Sequence, residues 1–149
     1  MATVASQLTP SMRECGACTL CCTTSAVPEL GKPFGEKCGH CAVGCVIYAS
    51  RPRSCRSFEC AWLKGELPED MRPDLSGVVV EHLPNTQRTV LALTLGRDDE
   101  IPLPIVRFYN DSGRAVLARG RRAFLPEGLN YGDAMSDMHA ASLVMGIGR

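Results

Sequence analysis

Nine cysteines lie between Cys15 and Cys60, and none lies outside that stretch. They form three runs: Cys15-Gly16-Ala17-Cys18-Thr19-Leu20-Cys21-Cys22, then Cys38-Gly39-His40-Cys41-Ala42-Val43-Gly44-Cys45, then Cys55 with Cys60. Pro28, Gly31, Pro33, Gly35, Gly39, Gly44 and Pro52 interrupt the same stretch, which therefore reads as loops and short helical turns. A segment of that kind buries too little hydrocarbon to hold itself together, so something else must do so. The start of the chain lacks a basic stretch followed by an apolar run, so a cytoplasmic location is expected, where thiols stay reduced. The odd cysteine count would also leave a disulfide framework with an orphan. Dense cysteine in a reducing compartment points to metal ligation.

Thiolates separated by two residues grip one ion from a tight turn, and Gly16 and Gly39, each following a cysteine, free backbone amides to face sulfur. The candidate ligands are Cys15, Cys18, Cys21, Cys22, Cys38, Cys41, Cys45, Cys55 and Cys60. Zinc is the expected metal, because it takes four thiolate or imidazole ligands in a tetrahedron. Nine cysteines suit two such sites with one to spare, or a bridged cluster with shared thiolates. Adjacent Cys21 and Cys22 point to sharing or to two sites side by side. Iron is the alternative, in an iron–sulfur or iron-binding protein that transfers electrons or carries metal. Cys15, Cys18 and Cys21 reproduce the spacing that wraps one side of a four-iron (4Fe-4S) cluster, although the Cys-Pro ending of the bacterial ferredoxin run is missing. A zinc held by four thiolates carries a charge of about −2. Lys37, Arg51, Arg53 and Arg56 stand near the cysteines in sequence and could offset it.

The ordered set Cys15-x-x-Cys18-x-x-Cys21-Cys22, Lys37-Cys38, Gly44-Cys45-Val46-Ile47-Tyr48, Arg51-Pro52-x-x-Cys55-Arg56 and Phe58-x-Cys60 resembles the YkgJ-type cysteine-cluster family, also described as a zinc- or iron-chelating domain. The resemblance covers about residues 15–65. It implies metal binding by Cys15, Cys18, Cys21, Cys22, Cys38, Cys45, Cys55 and Cys60, while Cys41 falls where the family does not uniformly require a cysteine. It does not specify the metal or the cellular task.

Other chemistries fit less well. Cys38-Gly39-His40-Cys41 is also a redox tetrapeptide of disulfide isomerases, which makes a thiol–disulfide oxidoreductase the second alternative. That chemistry needs a strand before the motif and a helix after its first cysteine, whereas Gly35-Glu36-Lys37 precedes and Gly44-Cys45 follows. His40 reads as a solvated loop residue, His82 as a partly buried structural histidine and His139 as an ordinary helix residue. Met135, Met138 and Met145 read as core packing in preference to a copper site. Asp98-Asp99-Glu100 reads as an exposed turn. The basic tip Arg119, Arg121 and Arg122 stands in a chain of zero formal net charge, which disfavours nucleic acid and membrane surfaces as partners. No phosphate loop, dinucleotide fingerprint or serine triad is present.

Beyond the cysteines the hydrophobic period changes. Val78, Val80 and His82 alternate with Val79, Glu81 and Leu83, a turn falls at Pro84 to Gln87, and Thr89 to Leu95 is again β-like. Ile105 to Asn110 suits either a short helix or a strand. Ala115 to Ala118 and Ala123 to Leu125 read as strands. Tyr131, Met135, Met138, Ala141 and Met145 recur at helical spacing, with Asn130 or Asp133 to begin the helix and Gly146 to end it. A further helix is expected from Ser54, as cap, to Lys64. The 149 residues, 45% of them hydrophobic, fit one domain. Its parts are a flexible N-terminal arm over residues 1–14, a cysteine-cluster region over 15–65 and an α+β region over 66–149. The expected fold is a small α+β domain: an irregular cysteine-rich metal-binding lobe, then a small antiparallel β-sheet and a C-terminal helix. A full set of protein ligands leaves no open catalytic position, so a non-catalytic role is expected, with the metal shaping a surface for a protein partner.

Overall fold

The computed structural model describes residues 13, 18–25, 27–33, 35–42, 45–94, 101–118 and 122–145. The cysteine lobe contains two helical turns, α1 (Cys21–Thr24) and α2 (Arg53–Ser57), and single 3-10 turns at Pro28–Leu30 and Tyr48–Ser50. A connector with a 3-10 turn at Glu69–Met71 and α3 (Pro73–Ser76) leads into the sheet. There β1 (Val78–His82), β2 (Thr89–Thr94), β3 (Ala115–Ala118) and β4 (Arg122–Phe124) lie side by side in chain order. Helix α4 (Leu103–Asn110) joins β2 to β3, and α5 (Tyr131–Met145) follows β4. Among the described residues no helix is long and apolar enough to cross a membrane.

The α+β class and the β1–β2 hairpin are as the alternation predicts, with Val80 opposite Ala92 and His82 opposite Val90. The sheet is mixed, however, and not wholly antiparallel: β2 and β3 run parallel, with Leu91 opposite Leu117, while β3 and β4 are antiparallel. Parallel neighbours need a crossover. The ambiguous segment at Ile105 supplies it as a helix, which lays Ile105 and Tyr109 into the core at 1% and 0% exposure. Every residue of β2 and β3 is buried, as expected of central strands covered on both faces.

The helix expected from Ser54 to Lys64 is two separate turns. The first ends at Ser57, because Phe58 is extended. The second closes as a Schellman motif, with Gly65 at φ 84° donating its amide to the Trp62 carbonyl (2.9 Å) and Glu66 donating to the Ala61 carbonyl (3.0 Å). The Ala61 amide in turn donates to the Val80 carbonyl at 2.8 Å, which stitches the end of the cysteine lobe to the free edge of β1.

Helix α5 begins as its sequence predicts. Asn130 Oδ1 accepts the Asp133 amide and Asp133 Oδ2 accepts the Asn130 amide, each at 2.9 Å, a reciprocal cap that satisfies two amides lacking helical partners. The end expected at Gly146 lies outside the described residues. Replacing Asn130 by Ala should cost about 1 kcal/mol, read as a lower midpoint in urea denaturation with an unchanged slope. Midway along α5, Asp137 accepts two bonds from Arg88 (2.8 and 3.1 Å) and one from the buried Thr89 hydroxyl (2.6 Å), which anchors the helix to the start of β2.

Candidate metal centre

Three ties draw the cysteine runs together. The first joins runs one and two: the Cys38 amide donates to the Cys22 carbonyl at 2.8 Å. The second folds run two back on itself, through the Cys41 amide to the Cys38 carbonyl (3.1 Å), the Val46 amide to the His40 carbonyl (2.9 Å) and an antiparallel bridge between Cys41 and Cys45. The third brings in α2, which carries Cys55. The Glu29 carboxylate accepts the Ser54 amide at 2.8 Å and the Ser54 hydroxyl at 2.6 Å. Ser54 is thus a capped residue and not the expected cap, and Pro52 directly precedes the helix.

The sulfurs meet backbone amides as expected. The His40 amide donates to Cys38 Sγ at 3.4 Å, so His40 enters the cluster through its main chain. Gly39 allows this without entering the left-handed region. The Leu63 amide approaches Cys60 Sγ at 3.5 Å. Amides facing sulfur stabilise thiolate over thiol, because they bond the charged form.

A hairpin between the first two runs adds a cation that the sequence reading missed. Val27 and Lys32 exchange both backbone hydrogen bonds (2.9 and 3.1 Å) across the Pro28–Leu30 turn. Gly31 closes it at φ 64°, a conformation an L side chain rarely takes. Both Val27 and Lys32 are thereby buried. Lys32 Nζ donates to the carbonyls of Thr23 (3.3 Å), Pro33 (3.3 Å) and Ser25. Burial pulls this ammonium below the usual lysine range, and the charges of Cys38, Cys22, Cys21 and Cys55 oppose that pull. Its only sequence mark is its place between Gly31 and Pro33, which does not announce burial.

These thiols share one electrostatic neighbourhood. A hydrogen bond from Cys21 is the largest cause holding the Cys22 thiol down at about 6; burial opposes it, and Cys41, Lys32 and Lys37 assist. Burial pushes Cys41 up, and the Cys22 charge adds to it. Cys55 is pushed up by burial and then by Cys22, Cys38 and Cys45. One thiolate in the group therefore keeps its neighbours protonated, a mutual repulsion that a bound cation would relieve. No disulfide joins the described cysteines. As they stand, no three Cys, His, Asp or Glu side chains among the described residues converge as a closed coordination set would. The donor chemistry suits a soft or borderline metal, and closing on one would require the sulfurs to draw inward.

Cys18 and Cys60 form a second locus. Cys60 is buried in the core cluster, its thiol pushed up by burial, with Cys18 acting on it as a nearby charge. Arg13 docks beside them, donating to the Trp62 and Leu67 carbonyls (2.7 and 2.6 Å) with its guanidinium 4.6 Å from the Trp62 ring centroid. Arg13 is the described residue of the arm expected to be flexible, and it is held. Cys15 lies outside the described residues, as do Gly16, Gly44, Arg119, Arg121 and the acidic run Asp98 to Glu100.

Of the expected neutralisers, Lys37 acts on Cys22 and Cys41, and the Arg56 side chain lies outside the described residues. Lys37 and Arg53 are exposed, and Arg51 stacks over the half-exposed Tyr48 ring at 3.8 Å while donating to the Tyr48 carbonyl. His82 is structural as read: its Nε2 lies 2.9 Å from Glu66 and its Nδ1 3.4 Å from Arg114. Met138 packs against the core.

Scans of protein-family models, of curated proteins and of solved structures return no match to this chain.

Proposed function

We propose that the chain is a metal-binding cysteine-cluster protein with thiolate-coordinated zinc in a structural role. The carrying observation is that Cys22, Cys38, Cys41 and Cys45 are tied by backbone hydrogen bonds, and the helix of Cys55 by the Glu29 carboxylate on Ser54, so that three separated runs enter one loop-built lobe. That lobe has little hydrocarbon of its own: between Cys18 and Glu59, Val27 is the one described hydrophobic residue fully buried. Sulfur joined by metal would supply the missing core. Cys21 belongs to the same group through its bond to Cys22, and Cys18 with Cys60 supplies a second set of donors, to which Cys15 is added by spacing. The resemblance of residues 15–65 to the YkgJ-type family supports the same reading.

The test is elemental analysis of anaerobically purified protein together with a visible spectrum. A colourless protein with stoichiometric zinc is expected. A brown protein absorbing in the visible would transfer the site to an iron–sulfur cluster, and a metal-free, colourless protein would end the metal reading. Cys55→Ser and Cys18→Ser should each lower metal content, and a variant with full content removes that residue from the ligand set.

A further inference from the structure

Lys32 is the only fully buried charged residue among the described residues, at 8% exposure. A buried ammonium is costly unless its protons are bonded and its charge is paired. The protons are accounted for, since three carbonyls accept from Nζ. Three acceptors around Nζ match the three N–H donors of an ammonium. The charge is not paired with any carboxylate among the described residues. Two of its acceptors, Thr23 and Ser25, stand at the end of α1, the turn that carries Cys21 and Cys22, and the charges of Cys38, Cys22, Cys21 and Cys55 act on it.

We infer that Lys32 is the built-in counter-cation of the cysteine cluster, a positioning residue whose fixed charge sets how many ionised thiolates one metal can hold there. The inference rests on the metal reading above. Four thiolates on a divalent ion leave a charge of about −2, which is costly to keep away from water. A lysine held by its own loop offsets part of that charge in the folded lobe. The three carbonyl bonds pin the ammonium there, so that it does not escape to solvent. Lys37 also acts on Cys22 and Cys41, but it is exposed and its charge is therefore screened by salt.

The experiment compares full-length wild type with Lys32→Gln and Lys32→Met, each titrated anaerobically with zinc and with cobalt(II). Gln keeps amide donors for the carbonyls but carries no charge, while Met keeps only the volume. Both variants are expected to lose about tenfold or more in zinc affinity. Both should also show weaker thiolate-to-cobalt charge-transfer absorbance per bound cobalt, because fewer thiolates stay on each ion. A Gln variant with wild-type affinity and absorbance overturns the inference. So does a weaker affinity with unchanged absorbance per cobalt, since that is the signature of a loop staple. If neither variant folds, the wild type decides through amine acylation of the zinc-loaded protein. Lys32 should be protected until zinc is chelated, whereas modification at the rate of the exposed Lys37 and Lys64 sinks the idea. A wild type that takes up no metal fails the metal reading itself, and this inference falls with it; a wild type that binds while the variants match it fails the inference alone.

Discussion

At neutral pH a Glu66→Gln protein is expected to be about 3 kcal/mol less stable than the wild type, a fall in Tm of about 6–12 °C. Glu66 follows the Schellman turn and joins three elements. Its Oε2 accepts from the Tyr109 hydroxyl (2.7 Å) and from His82 Nε2 (2.9 Å), and its Oε1 accepts from Arg114 (2.9 Å). Burial pushes this carboxyl up, but the bonds from His82, Arg114 and Tyr109 more than reverse it, from 4.5 to about 2. The shift is the source of the estimate, at 1.36 kcal/mol per unit. The carboxylate also settles the imidazole. Glu66 can only accept, so Nε2 donates; Arg114 can only donate, so Nδ1 accepts. Both ring nitrogens of His82 are thus engaged in the network.

The sign of the pH effect follows from linkage. A carboxyl depressed in the folded state contributes fully above its unfolded value and loses that contribution as pH falls. The gap between wild type and Glu66→Gln should therefore be widest above about pH 4.5 and close towards about pH 2. Glu81 acts in the opposite sense, since burial pushes its carboxyl up to about 7 and its stability contribution falls as pH rises from 4.5 through that value. Both proteins carry Glu81, so it cancels in the difference. Urea midpoints measured from pH 7 down to pH 3 check this, and a gap that stays constant over that range would show that the carboxylate charge is not what holds the network.

How much of this was legible in the sequence follows from the range of each interaction. The hairpin was readable because Val78 to Leu83 alternates over neighbouring residues, and the α5 cap because Asn130 and Asp133 are three apart. The parallel β2–β3 pairing was not, since it depends on α4 carrying the chain back across the sheet, and Ile105 to Asn110 suits either period. Asp133 and Asp137, four apart on one helix face, are like charges that the sequence leaves without a partner, since Arg88, which bonds Asp137 and lies 3.9 Å from Asp133, is far away along the chain. In the candidate site the cysteines announced themselves by spacing. Glu29 as the cap of α2 and Lys32 as a buried cation did not, because both roles arise from loops folding over residues distant along the chain.

If the lobe holds zinc as proposed, a chelator is expected to release the lobe while the sheet stays folded. Structural zinc in small motifs contributes an apparent 10–16 kcal/mol or so, comparable with or above the roughly 5–15 kcal/mol net stability of a whole domain. The lobe has little to set against that loss, since its described interior offers Val27 and a few hydrogen bonds. The sheet region keeps Trp62, Leu67, the central strands, Ile105 and Tyr109 in a core built of hydrocarbon, with Cys60 at its margin. Amide hydrogen exchange separates the two. The amides of Cys38, Cys41, Val46 and Ser54 should exchange at least roughly a thousandfold faster after chelation, about 4 kcal/mol of lost local opening energy. The amides paired across β2 and β3 should change little. The boundary should fall near Ala61, whose amide bonds Val80 and whose carbonyl closes the Schellman turn, so that residue is expected to keep its protection with the sheet. Equal loss of protection in the sheet would mean that metal supports the whole domain as one cooperative unit. Unchanged protection at Cys38 and Ser54 would mean that the lobe stands on its hydrogen bonds alone, and the case for a structural metal would end there.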